Sequence, residues 1–137
     1  MGALQITMRL LKNFGIGADI ESIERFSRPE VINNKLFLNK IFTKKELKYC
    51  FSKKNPAPHL AARYAGKEAV FKALSSIGIS KPNYRLLEIF NNKNNIPEVK
   101  ITDAKFKNVH IYISMSHCDD KAMAFAVVMG LDKHGQA

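Results

Sequence analysis

Residues 59–75 read HLAARYAGKEAVFKALS, a helical pattern in which Ala62, Gly66, Ala69 and Ala73 fall in one narrow stripe. Side chains this small let another element approach the helix backbone closely. A chain built around such a helix needs a partner surface that is also small. AMAFAVVM, from residue 122, supplies one, with Ala122, Ala124 and Ala126 on one face and Met123, Phe125 and Val127 on the other. The strand before it alternates cleanly, Val109, Ile111, Ile113 and Met115 against His110, Tyr112, Ser114 and Ser116. His117-Cys118-Asp119-Asp120-Lys121 joins the two as a hairpin. The fold class expected is α+β, long helices packed on a largely antiparallel sheet.

Other elements follow from local chemistry. FTKKELKYCF carries a capping box at Thr43 and Glu46, with Phe42 and Leu47 spaced as a hydrophobic staple. Asn55, Pro56 and Pro58 close that short helix. YRLLEIF and EVKI read as strands around NNKNNIP, whose asparagines tolerate left-handed turns. LLKNFGIGADI reads as a strand reaching Gly15 or Gly17, then a helix from near Asp19 that places Asp19, Glu21 and Glu24 at its positive end.

The length of 137 residues suits one domain, residues 1–137, with a globular part over about 14–129. Residues 1–7 and 134–137 read as extensions. The net charge of +10 calls for an acidic partner. Two cysteines, in no CxxC pair, suit a reducing cytoplasm. The opening residues hold no apolar run long enough for a signal peptide or membrane span.

Candidate chemistry collects at few places. Glu68 and Lys72, four apart, share a helix face, either as a solvated ion pair or as a carboxylate for a metal beside an ammonium for a phosphate. Arg63 and Lys67 lie on another face. Asp19 is either a helix cap or a magnesium ligand, and the residues alone favour the cap. His117, at a strand end, is either a core histidine or a phosphate contact. The histidines and cysteines have no zinc-like spacing. GIGADI lacks the third glycine of a dinucleotide fingerprint. Residues 40–54 form the densest positive patch, without the aromatic interleaving of an RNA-binding motif.

GIGADIESIERF, FTKKEL, ARYAGKEAVFKAL and ISMSH, in this order and spacing, resemble the holo-acyl-carrier-protein synthases, the small members of the 4′-phosphopantetheinyl transferases. The resemblance implies that family's α+β fold and transfer of the phosphopantetheine arm of coenzyme A to a serine of apo-acyl-carrier protein, releasing adenosine 3′,5′-bisphosphate. By matching position, Asp19 and Glu68 would hold Mg²⁺, with Lys72 at the phosphates and counted with them as catalytic. Arg63, Lys67, Lys72 and His117 would bind coenzyme A, and Arg25, Arg28 and Lys40 would dock the carrier protein. The resemblance also implies a homotrimer with sites between subunits, a cytoplasmic place in fatty acid biosynthesis, and neither nucleic acid nor membrane as partner. Two departures stand out: Ser75-Ser76-Ile77-Gly78 replaces the family's Gly-Thr-Gly turn, and Asn95-Ile96-Pro97 its Gly-x-Pro turn. The competing expectations are a basic module that binds RNA or an acidic protein without catalysis, and a different Mg²⁺-dependent phosphoryl-transfer enzyme.

Overall fold

The computed structural model describes residues 13–130 together with Gly2 and Ala3. The extensions expected at residues 1–7 and 134–137 therefore lie, apart from Gly2 and Ala3, outside the described residues. Strand β1 (Phe14–Ser22) leads into four short helices, α1 (Ile23–Ser27), α2 (Pro29–Ile32), α3 (Lys35–Ile41) and α4 (Lys44–Phe51). The long helix α5 (Ala57–Ser76) follows, then a 3-10 turn (Tyr84–Leu86), β2 (Leu87–Asn91), β3 (Pro97–Ile101), β4 (Val109–Cys118) and β5 (Lys121–Gly130). One antiparallel sheet has the order β1-β5-β4, and β2 pairs with β3 in a second.

The small-residue stripe meets the partner it needs. Ala69 and Ala73 of α5 cluster with Ala124 and Ala126 of β5, and Ala62 with Ala122, while Gly66 of the same stripe faces Ile89, Ile113 and Met115 instead. Gly17 of β1 completes the close approach. A Cβ built there would fall on the Ala69 carbonyl and lie 2.7 Å from the Ala73 nitrogen. Only glycine fits at that spacing.

The glycines of GIG thus serve packing and do not turn the chain. The strand expected to stop at Gly15 or Gly17 runs on to Ser22, and Asp19 pairs with Ala124 inside the ladder. The first helix starts at Ile23, so Asp19 is neither its cap nor near its dipole. Tertiary pairing with β5 holds the segment extended.

Two apolar clusters share α5. One gathers Ala65, Val70 and Leu74 with Leu87, Ile89, Phe106 and Val128. The other joins Leu60 and Ala61 to Phe26, Leu38, Phe42 and Cys50. The outer face of the larger sheet stays apolar and open. Phe14, Ile16 and Ile20 line up with Met123, Phe125 and Tyr112 by register, each 42–64% exposed.

The two turns that depart from the family pattern keep left-handed backbone. Gly78 has φ +78° just after α5, and Asn95 has φ +61° between β2 and β3. Asparagine tolerates that conformation better than any other residue with a side chain, glycine aside.

Candidate active site

Asp19 and Glu21 are two apart on β1, so they project from the same side of the strand, the side that packs on α5. Lys72, from the last turns of α5, crosses to this strand. Its ammonium donates to Asp19 Oδ1 at 3.1 Å and to the Ala18 carbonyl at 2.9 Å. The Asp19 side chain is only 12% exposed, and its Oδ2 is buried with no hydrogen-bond partner. A buried carboxylate oxygen without a donor is costly unless a cation or proton completes it.

The surroundings are strongly acidic. Burial first, then a hydrogen bond shared with the Asp19 carboxyl, the Asp19 charge and that of Glu68 push the Glu21 carboxyl up to about 7, against the pull of Arg25, so a protonated Glu21 can also serve Asp19. Arg25 Nη1 lies 3.5 Å from Glu21 Oε2. Glu68, one turn before Lys72 on α5, accepts the Tyr84 hydroxyl on Oε1. Among the described residues no three His, Cys, Asp or Glu side chains converge as a metal cage. The donor set instead suits a hard divalent cation such as Mg²⁺, which takes one or two carboxylates and fills its other positions with water and phosphate. The buried Oδ2 of Asp19, which no basic group meets, fits such an ion.

A second centre lies around the first half of α5. A cavity of about 290 Å³ is lined by Tyr49, His59, Arg63, Asn91, Ser116 and His117, among others. The Arg63 guanidinium sits 4.0 Å over the Tyr49 ring and donates to Asn91 Oδ1 at 3.5 Å, while its Nε is buried without a partner. The His59 and His117 rings meet edge to face at 6.3 Å. Burial first, then the charges of Lys53, Arg63 and His117, hold His59 below its ordinary value. This cationic hollow is suited to an anion. It shares no lining residue with the cavity of about 230 Å³ beside Asp19 and Lys72.

Lys67 is a correction. Expected to line the coenzyme A site, it is fully buried, and its ammonium is already consumed. It donates to the carbonyls of Ile41 (2.8 Å), Tyr84 (2.9 Å) and Leu87 (2.7 Å), and lies 2.7 Å from Glu46 Oε1. Glu46 in turn accepts the amides of Thr43 (2.8 Å) and Ile89 (2.9 Å). The capping box read in the sequence is present, and its acid doubles as the counter-ion of a core lysine. The pair ties α4, α5 and β2 together.

Of the three basic residues expected at a docking face, Arg28 and Lys40 are exposed, and Arg28 pairs with Glu24 at 3.5 Å. Arg25 is partly exposed and already engaged. Its guanidinium packs over Phe26 and Tyr64 and reaches Glu21. Three site residues went unread in the sequence. Once β1 is known to be a strand, Glu21 follows Asp19 by period two, and His59 precedes Arg63 by one helical turn. Tyr84 gave no signal, being sixteen residues from Glu68.

Comparison with known proteins gives the family. Residues 15–126 match the family model described as the 4′-phosphopantetheinyl transferase superfamily, and the chain belongs to that superfamily. Among its relatives, a protein of Thermodesulfovibrio yellowstonii named holo-[acyl-carrier-protein] synthase is 45% identical over 115 residues, covering 83% of this chain and 96% of its own. A Protochlamydia amoebophila protein of the same name is 43% identical, covering 82% of this chain and 95% of its own. The solved structure of Helicobacter pylori holo-[acyl-carrier-protein] synthase in complex with coenzyme A superposes with a TM-score of 0.70 at 30% identity, covering 82% of this chain and 98% of that one. The α+β fold is that of these enzymes, and a non-catalytic binding module is no longer a competing reading.

Proposed function

We propose that this chain transfers the 4′-phosphopantetheine arm of coenzyme A to the serine hydroxyl of an apo-acyl-carrier protein. The serine oxygen bonds to the β-phosphorus of the pyrophosphate, the bond from that phosphorus to the bridging oxygen breaks, and adenosine 3′,5′-bisphosphate leaves. The hydroxyl proton passes to water as the serine oxygen attacks. The observation that carries this reading is the largely buried Asp19 carboxylate, held on one oxygen by Lys72, which stands one helical turn from Glu68, while its other oxygen has no basic partner. Asp19 and Glu68 would hold Mg²⁺. When bound, the ion supplies positive charge against that building on the leaving phosphate. Lys72 binds the same phosphates, exchanging part of its contact with Asp19 for them. Arg63, His59 and His117 hold the phosphate at the other end of coenzyme A.

The chain acts as a homotrimer in this reading. Support comes from the aligned apolar face of the β1-β5-β4 sheet, too large a patch to leave in water. The two centres, with no lining residue in common, are then halves of sites completed by neighbouring subunits. Arg28 and Lys40, with Arg25 at the edge, dock the acidic carrier protein. Packing of α5 against both sheets supports one domain. No described helix is long and apolar enough to cross a membrane, and both cysteines are free. Free cysteines fit a reducing cytoplasm, and a carrier-protein substrate fits a place in fatty acid biosynthesis.

The test is incubation with apo-carrier protein, coenzyme A and Mg²⁺, read by mass spectrometry for a phosphopantetheine adduct on serine. Asp19→Ala and Glu68→Ala should each remove most transfer while the thermal melt stays cooperative. An active Asp19→Ala protein would refute the metal assignment. Light scattering should give a species near three times 15.5 kDa. Asp19 and Lys72 touch within one chain, so mixing inactive variants of the two should restore no site that contains both.

A further inference from the structure

Lys67 and Glu68, neighbours in α5, both reach Tyr84, seventeen and sixteen residues further along the chain. The buried Lys67 ammonium binds the Tyr84 carbonyl at 2.9 Å. The Tyr84 hydroxyl donates to Glu68 Oε1. The ring between them is held on several sides. It stacks on Tyr64 (centroids 6.1 Å apart, planes 9° apart) and meets the edge of Phe71 at 4.9 Å. The Lys81 ammonium lies 5.1 Å from its centroid. Asn83 caps the turn that carries it, accepting the Arg85 amide at 3.1 Å. A phenol fixed at backbone and ring can fix a carboxylate in turn.

We propose that Tyr84 is a positioning residue: its hydroxyl orients the Glu68 carboxylate, taking Oε1 and leaving Oε2 for the cation. Glutamate has three rotatable side-chain bonds, and an unheld carboxylate would sample rotamers that leave Asp19 as the sole ligand. Outer-shell partners of ligating carboxylates act in this way, and their loss costs about 10–100-fold in metal affinity or activity. The inference rests on the assignment of Glu68 as a metal ligand.

The experiment is Tyr84→Phe, which removes one oxygen and keeps the ring in its stack. Mn²⁺ binding to the full chain, followed by electron paramagnetic resonance without turnover, should weaken about 10-fold. The Mg²⁺ dependence of transfer should shift to higher concentration, with kcat largely restored at saturating metal. In a Glu68→Gln background the same change should add no further loss. Coenzyme A affinity in chelator and the thermal melt should hold; a parallel fall in both would mean a loosened fold and overturn the proposal. Unchanged Mn²⁺ affinity in Tyr84→Phe alongside a loss in Glu68→Gln would leave the metal site standing and reduce Tyr84 to packing. Wild-type Mn²⁺ affinity in both variants would remove the metal assignment, and the inference with it.

Discussion

Replacing Lys67 tests whether it serves the fold or the substrate. Lys67→Ala deletes an ammonium that meets three carbonyls and a carboxylate within 2.9 Å, all but the Tyr84 contact in a region closed to solvent. Breaking a buried pair by removing one partner costs about 3–5 kcal/mol, since the other charge is left in low dielectric. Glu46 would retain the Thr43 and Ile89 amides, which soften the loss. The stranded carbonyls of Ile41, Tyr84 and Leu87 add to it, at about 1–3 kcal/mol for a group that water cannot reach. These costs overlap, so the expected total stays about 3–5 kcal/mol. Against a typical stability of about 5–15 kcal/mol this is severe. It corresponds to a fall in melting temperature of roughly 10–20 °C for a domain of this size. Lys67→Met, which keeps the aliphatic stem, should fall nearly as far. Glu46→Leu with Lys67→Met should recover part of the loss, and less than all, because two amides then lack their acceptor. Urea unfolding gives the energies, and calorimetric titration of the folded fraction gives coenzyme A affinity, which should stay within about two-fold of wild type (~0.4 kcal/mol). A Lys67→Ala protein that melts normally but binds coenzyme A ten-fold more weakly would refute the structural role.

Other outcomes follow from the same geometry. Gly17→Ala places a methyl on the α5 backbone and should destabilise by about 1–3 kcal/mol or more, with transfer falling because Asp19 is two residues away. Gly66→Ala meets side-chain ends, those of Ile89, Ile113 and Met115 at 2.6, 2.9 and 3.3 Å, and should cost less; equal melts for the two variants would contradict the packing argument. Arg28→Glu should raise KM for carrier protein about five-fold (~1 kcal/mol) and leave coenzyme A affinity unchanged, with the difference shrinking in salt. Arg25→Glu should impair both, since Arg25 already neutralises Glu21; an effect on carrier protein alone would place Arg25 purely on the docking face. His59 is held below the ordinary 6.5, so between its folded value and 6.5 the unfolded chain binds a proton that the folded chain refuses. Its stabilising contribution is therefore complete above pH 6.5 and lost as pH falls through that window. His59→Gln should flatten the acid side of the stability curve, and identical pH slopes in urea midpoints would refute this.

The sequence by itself determined the packing logic. The stripe from Ala62 to Ala73 and the alternation of Ala122, Ala124 and Ala126 depend only on helix and strand periods, so both could be read without coordinates. The capping box at Thr43 and Glu46 is a contact over three residues and was legible for the same reason. Glu68 and Lys72 were placed on one face by their spacing alone. Contacts distant in the chain required the tertiary structure. Local signals around GIGADI favoured a turn and a capped helix, whereas pairing with β5 keeps that segment extended and points Glu21 to the side of Asp19. Lys67 looks like any helical lysine in sequence. Its burial is decided by Glu46, twenty-one residues earlier, and by carbonyls of Ile41, Tyr84 and Leu87. Tyr84 reaches Glu68 only because the chain beyond Gly78 turns back along α5. Periodicity fixes which face a side chain takes, while what stands opposite that face is settled by packing between segments far apart in sequence.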